Sequence, residues 1–209
     1  MLELAISTFV VLVVVIDPVG VAPIFGALTQ HASQTYRRTM ARRGVLLSFL
    51  ILVFFSFAGH LLLTALGISM QAFKVAGGFF LFLLSIDMVF ARQSGLRSTT
   101  PKETHEAEHA DDISVFPLAI PLLAGPGAMT TLVLMMGEAA GRIEHISIIM
   151  AILTLVLVLV YAALMSAAVI MKILGEIGTN VVSRILGILL AALAVQYMID
   201  GIRSSFALT

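Results

Sequence analysis

The chain contains no cysteine, and only 11% of its 209 residues are charged. Without cysteine there can be no disulfide, no thiolate metal site and no dithiol redox chemistry. Lys and Arg together number 12, Asp and Glu 12, so the formal net charge is zero. A nucleic-acid binder, which needs a basic face, is excluded. Basic residues are also missing from the start: none precedes Arg37. A cleavable signal peptide opens with a basic region, so the first apolar run is expected to stay in the membrane. Proline is scarce, and five of its six copies fall in two short segments.

What the chain has in excess is apolar surface. Hydrophobic residues make up 60%, and mean hydropathy is +1.09. Soluble domains are about half apolar and a quarter charged, so a soluble fold of this size could not bury the surplus. Disorder is excluded by the same composition. The apolar residues come in long runs rather than in alternation, which excludes a transmembrane β-barrel. Six helices of about 22 residues would use the apolar content. The runs predict spans at 4–27, 44–66, 71–91, 114–137, 146–171 and 182–206. Residues 28–43 read as a polar connection and 92–113 as a charged linker.

Basic residues orient the spans. With the N-terminus outside, Arg37, Arg38, Arg42, Arg43, Arg92, Arg97, Lys102, Lys172 and Arg184 lie inside. Only Lys74, Arg142 and Arg203 lie outside. Both termini are therefore expected to face the periplasm or exterior.

The halves resemble each other. Asp17-Pro18-Val19-Gly20 parallels Gly125-Pro126-Gly127, and Leu66-Gly67 parallels Leu174-Gly175, both at an offset of 108. Lys74-x-x-Gly77 parallels Arg184-x-x-Gly187 at 110. Each half has an odd number of spans, so the second copy must be inverted. The predicted fold class is an all-α polytopic membrane protein of two inverted three-helix repeats, 1–91 and 114–209. The linker 92–113 is placed in the cytoplasm.

The prolines break the first span of each repeat. Pro18 and Pro23 fall in one, and Pro117, Pro121 and Pro126 in the other. Each lacks an N–H and clashes with the carbonyl four residues back. The carbonyls of Val14, Val19, Pro117 and Leu122 are therefore expected to lose helical partners. Unpaired backbone is tolerated in a bilayer only against protein or a wet cavity. Two breaks in matching positions predict discontinuous helices meeting near the midplane, with half-helices starting just after Gly20 and Gly127. Their amides suit a carboxylate, and the freed carbonyls suit an ammonium or a cation. A small zwitterion fits both. The candidate substrate residues are Asp17, Pro18, Gly20, Pro23, Gly125, Pro126, Gly127, Thr130 and Thr131. Asp17 would meet the ammonium or carry a proton; it would equally serve as N-cap of the half-helix after Pro18. Packing kinks without chemistry are the plainer explanation of the same prolines.

Other polar positions carry less. Asp87 and Asp200 close spans 3 and 6 and read as caps or ion-pair partners. Gln196 reads as an interhelical hydrogen bond, and His60 as an interfacial residue. Gly77-Gly78 and Gly187-x-x-x-Ala191 read as close helix packing. His105-Glu106-Ala107-Glu108-His109 fits the zinc-protease pattern. That pattern needs a helix in a folded catalytic domain and a third ligand, and here it falls in the charged linker. A membrane enzyme would need a nucleophile–base pair, and Ser48, Ser56 and Ser85 have no histidine at a suggestive spacing.

Three segments together resemble the MarC family of bacterial inner-membrane proteins, with the YhgN-like branch nearest. They are Asp17-Pro-Val-Gly-x-x-Pro-x-Phe25, Pro117-Leu-Ala-Ile-Pro-Leu-Leu-Ala-Gly-Pro126 and Asp200-Gly-Ile-Arg203. The resemblance covers essentially the whole chain, and the middle segment is its specific part. It implies six spans, kinship with LysE-type exporters and, as in SnatA-type members, transport of small neutral amino acids such as glycine and alanine. The family often has Asn after the first-motif glycine. This chain has Val21, so nothing is carried over at that position.

The leading expectation is a secondary transporter, exporting by alternating access around the two breaks. It would have no bound cofactor beyond a coupling proton or sodium ion. Its partners would be a small zwitterion and the bilayer, and not nucleic acid. The alternative is an exporter of cations, metals or other small solutes, also of LysE-like kinship. Exact substrate, direction, coupling ion and oligomeric state are not encoded in any motif.

Overall fold

The computed structural model describes residues 1–91 and 112–206, and its regular elements there are all helical. Most of the charged linker, with the His105–His109 motif, lies outside the described residues. In order come α1 (Leu2–Ile16), α2 (Pro18–Leu28), α3 (Gln34–Ala65) and α4 (Met70–Phe90). A wide, proline-bent coil (Ser114–Leu123) follows, then α5 (Pro126–Ala139), α6 (Ile143–Met165) and α7 (Ala167–Phe206). Five stretches are long and apolar enough to cross a membrane: Leu2–Leu28, Gln34–Ala65, Met70–Phe90, Ile143–Met165 and Ile177–Phe206. A sixth crossing results if Ser114–Leu123 and Pro126–Ala139, bent by 57°, count as one span.

Three boundaries differ from the sequence reading. The polar connection 28–43 shrinks to a short turn, because α3 starts at Gln34 behind a Ser33 cap whose Oγ accepts the Tyr36 N–H at 3.2 Å. The arginines at 37, 38, 42 and 43 therefore ride on a helix. Arg37 turns back to the end of α2, donating from Nε to Thr29 O (2.9 Å) and from Nη2 to Gln30 O (3.1 Å). Carbonyls at a helix end lack helical partners; Thr29 O also accepts the Ala32 N–H at 3.0 Å. Span 5 ends at Met165 rather than 171, since Ser166 leaves helical geometry. Residues 167–174 belong instead to α7, which bends at Gly175 (φ 64°). Gln196 donates to Asp200 within α7 at 2.9 Å, not across helices, as the i,i+4 spacing permits.

The centre is built from α1, α2, the proline-bent coil and α5. Half of the most apolar stretch of Leu2–Leu28 is buried, against 22% for α3. Leu12, Ile16, Val21 and Phe25 are fully enclosed. The outer helices turn Phe54, Phe57, Phe79 and Phe80 outward, as expected where the surrounding solvent is hydrocarbon.

Helices α4 and α7 pack along most of their lengths. A Cβ at Gly78 would lie 2.7 Å from Ala194 O, one at Gly187 2.8 Å from Met88 Cβ, and one at Gly201 2.9 Å from Gln71 O. Rising numbers on one helix meet falling numbers on the other, so the pair is antiparallel. Missing side chains let the two backbones touch. Gly77 turns toward Thr130 of α5 instead.

Candidate functional site

The first interruption is a single residue. Asp17 ends α1 and begins α2 with φ 47° and ψ 71°, a left-handed conformation. Asp reaches this region more readily than most residues, and Pro18 disfavours a helical conformation for the residue before it. The carboxylate then caps the helix it starts. Its Oδ1 accepts the Gly20 N–H at 2.9 Å, and its Oδ2 accepts the Ser183 hydroxyl of α7 at 3.3 Å. Asp17 is 2% exposed. A Cβ at Gly20 would collide with this carboxylate and approach Ser183 Oγ to 3.0 Å. Glycine is what lets the carboxylate fold back.

This corrects one expectation. The half-helix starts at Pro18, not after Gly20, and its amide end is occupied by the protein's own carboxylate. Pro23 sits inside α2, half-buried. Ser183, which completes the arrangement, carries no sequence signal: it is one hydroxyl in a polar stretch, and only folding brings it across 166 positions to Asp17.

The second interruption is longer. Phe116 and Ile120, each ahead of a proline, are extended (φ −129° and −124°), as the pre-proline clash requires. Both following X–Pro bonds are cis. Leu118 N–H reaches Ile113 O at 3.2 Å and Ala124 N–H reaches Ala119 O at 2.8 Å, both spanning five residues. Helix α5 starts at Pro126, two residues before the expected start after Gly127, with Gly125 as N-cap and no side chain capping it. The Met129 N–H bonds to Gly125 O at 3.1 Å. The N–H groups of Gly127 and Ala128 have no acceptor among the described residues.

The two threonines diverge. Thr131 is fully buried, and its Oγ1 has no hydrogen-bond partner among the described residues. It lies four residues beyond Gly127 and three beyond Ala128, on the same helix face, and side chains lean toward the helix N-terminus. Thr130 faces Gly77 and, with Pro126, lines an apolar cavity of about 250 Å³ walled by Gly59 and Leu63 of α3 and Phe73 of α4. A Cβ at Gly127 would lie 3.1 Å from Leu81 and Leu84 Cδ2 and 3.6 Å from Val15 Cγ1. Val15 is two residues before Asp17, so the two interruptions are close neighbours.

Outside this centre, Lys74 of α4 pairs with Glu138 of α5. Asp112 accepts from the Ser114 hydroxyl and N–H and from Arg43. These donors, the Ser114 pair foremost, hold its carboxyl below the usual value. Among the described residues, no group of three or more His, Asp or Glu is placed to hold a metal ion.

Comparison with known proteins covers nearly the whole chain. Residues 2–206 match the MarC family of integral membrane proteins. A UPF0056 membrane protein of Methanocaldococcus jannaschii is 37% identical, covering 91% of this chain and 92% of its own. The UPF0056 membrane protein YvbG of Bacillus subtilis is 34% identical, covering 99% and 97%. The UPF0056 inner membrane protein YhgN of Escherichia coli is 33% identical, covering 95% of each. No solved structure matches the chain.

Proposed function

The chain belongs to the MarC family of integral membrane proteins, and from that premise we propose that it is a secondary transporter, of exporter type, for small neutral amino acids such as glycine and alanine. The solute sits between the interruptions at Asp17 and at Gly125, the discontinuous spans of an inverted repeat. The two three-helix halves, 1–91 and 114–209, rock about it in alternating access.

Thr131 is the observation that carries this reading. A buried hydroxyl without a partner costs about 1–3 kcal/mol, and here it stands one turn beyond two uncapped amides. Together they offer three donors suited to a carboxylate. The ammonium faces Asp17, a carboxylate of opposite charge buried at the first interruption. A Cβ at Gly127 would already meet Leu81 and Leu84 at 3.1 Å, which favours a solute no larger than glycine or alanine.

Two features support the repeat. The α4–α7 seam joins the third helix of one half to the third helix of the other, antiparallel. Gly67 and Gly175, matched at an offset of 108, both adopt positive φ, 69° and 64°. A proton or sodium gradient supplies the energy. On this reading the chain lies in an inner membrane, and the basic-residue bias supports both termini on the periplasmic side.

The test is counterflow of labelled glycine and alanine in proteoliposomes, which requires no knowledge of the coupling ion. Wild type should accumulate label, and Gly127→Leu, shown to be folded, should not. Folded wild type that takes up no label beyond empty liposomes would overturn the amino-acid reading.

A further inference from the structure

A cavity of about 410 Å³ lies away from the two interruptions, where the start of α3 meets the end of α6. Gln34, Arg37 and Arg38 form one wall, and Tyr161 and Met165 the other. The spacing explains each wall: 34, 37 and 38 share one helix face, as do 161 and 165. Arg37 is held in place by its two bonds to the end of α2. Arg38 is exposed and has no partner among the described residues. Among the described residues, no acidic side chain lines the cavity. The first turn of α3 adds the positive end of a helix dipole.

We propose that this cavity holds the phosphodiester headgroup of an anionic phospholipid. Guanidinium groups present paired donors to phosphate oxygens, and basic pockets between membrane helices suit such headgroups. A lipid fits better than a free phosphate because the α6 wall does not stop at the pocket. Val158 and Leu155, 57% and 46% exposed, continue the Tyr161–Met165 stripe toward the membrane interior and offer a track for an acyl chain. The site is independent of the transported solute.

Native mass spectrometry of the purified full chain, with phosphatidylglycerol and phosphatidylcholine in competition, tests it. Wild type should retain phosphatidylglycerol preferentially, and Arg38→Gln should cut that preference by about fivefold. Gln34→Glu, which puts a carboxylate into the pocket and leaves both arginines, should lower it as well, and decides the matter if Arg38→Gln does not fold. Arg203→Gln, at the far end of α7, should leave it unchanged. Undiminished preference in the folded Arg38 and Gln34 variants would overturn the proposal, as would an equal loss in Arg203→Gln. Displacement of the lipid by excess inorganic phosphate would make the pocket a soluble-phosphate site and overturn the lipid assignment.

Discussion

Asp17 and Ser183 are 166 positions apart and joined by a hydrogen bond of 3.3 Å inside the fold. The bond ties the interruption of the first span to the last helix. The same carboxylate caps α2 through Gly20, so two functions rest on one side chain, and two substitutions separate them. Asn adopts left-handed geometry and caps helices nearly as well as Asp. Asp17→Asn should therefore keep wild-type thermal stability while abolishing or uncoupling amino-acid counterflow. Asp17→Ala loses the cap as well and should be destabilised by about 1–2 kcal/mol. Unchanged flux and pH dependence in Asp17→Asn would remove this residue from the transport mechanism.

Thr131 gives the opposite pairing of stability and activity. Replacing an unpartnered buried hydroxyl with a methyl removes a desolvation cost of about 1–3 kcal/mol. Thr131→Val should raise the unfolding temperature and weaken glycine counterflow. Thr131→Ser should keep the flux. A valine variant with undiminished transport would leave Thr131 a packing residue.

The α4–α7 seam should be intolerant of a single methyl. Gly78→Ala puts a Cβ 2.7 Å from the Ala194 carbonyl oxygen, and backbone there has little room to shift. The expected loss is about 1–3 kcal/mol, read from thermal unfolding in detergent. Gly26→Ala is the control, because its Cβ would meet Ala167 Cβ at an ordinary 3.5 Å. It should be neutral or slightly stabilising.

Asp112 sets a pH expectation at the edge of the membrane domain. Its carboxyl is held below the ordinary 3.8, chiefly by Ser114. A lowered folded-state pKa contributes stability that is fully present above the unfolded value and is lost as pH falls below it. Stability should therefore not change on this account between roughly pH 5 and 8. Asp112→Asn at neutral pH should cost no more than about 1 kcal/mol, since the Arg43 pair is exposed. A steep loss for wild type near pH 6 would have to come from other groups.

Orientation can be read directly, because a chain without cysteine makes each engineered thiol unique. Thr35→Cys should be shielded from an impermeant maleimide in intact cells. Leu2→Cys, at an exposed position, should label. The reverse pattern would invert the topology.

The sequence by itself determined that this is a membrane protein of apolar helices, and where its interruptions fall; of the six spans it predicts, five stand as single stretches and the sixth is the bent pair Ser114–Leu123 and Pro126–Ala139 counted as one. Those properties depend on local quantities: run length against bilayer thickness, and a proline's missing N–H. Asp17, Pro18, Gly125 and Pro126 were legible for that reason, as were Gly78 and Gly187 as contact residues. Tertiary structure decided which ends stay open. The α2 amide end is filled by Asp17, because Gly20 leaves room for the carboxylate to turn back. The α5 end keeps its amides, because Gly125 offers no side chain to cap them. Ser183, the turn of Thr130 toward Gly77 and the pocket between α3 and α6 depend on contacts between distant segments, and helical periodicity records a residue's own face but not the partner set against it.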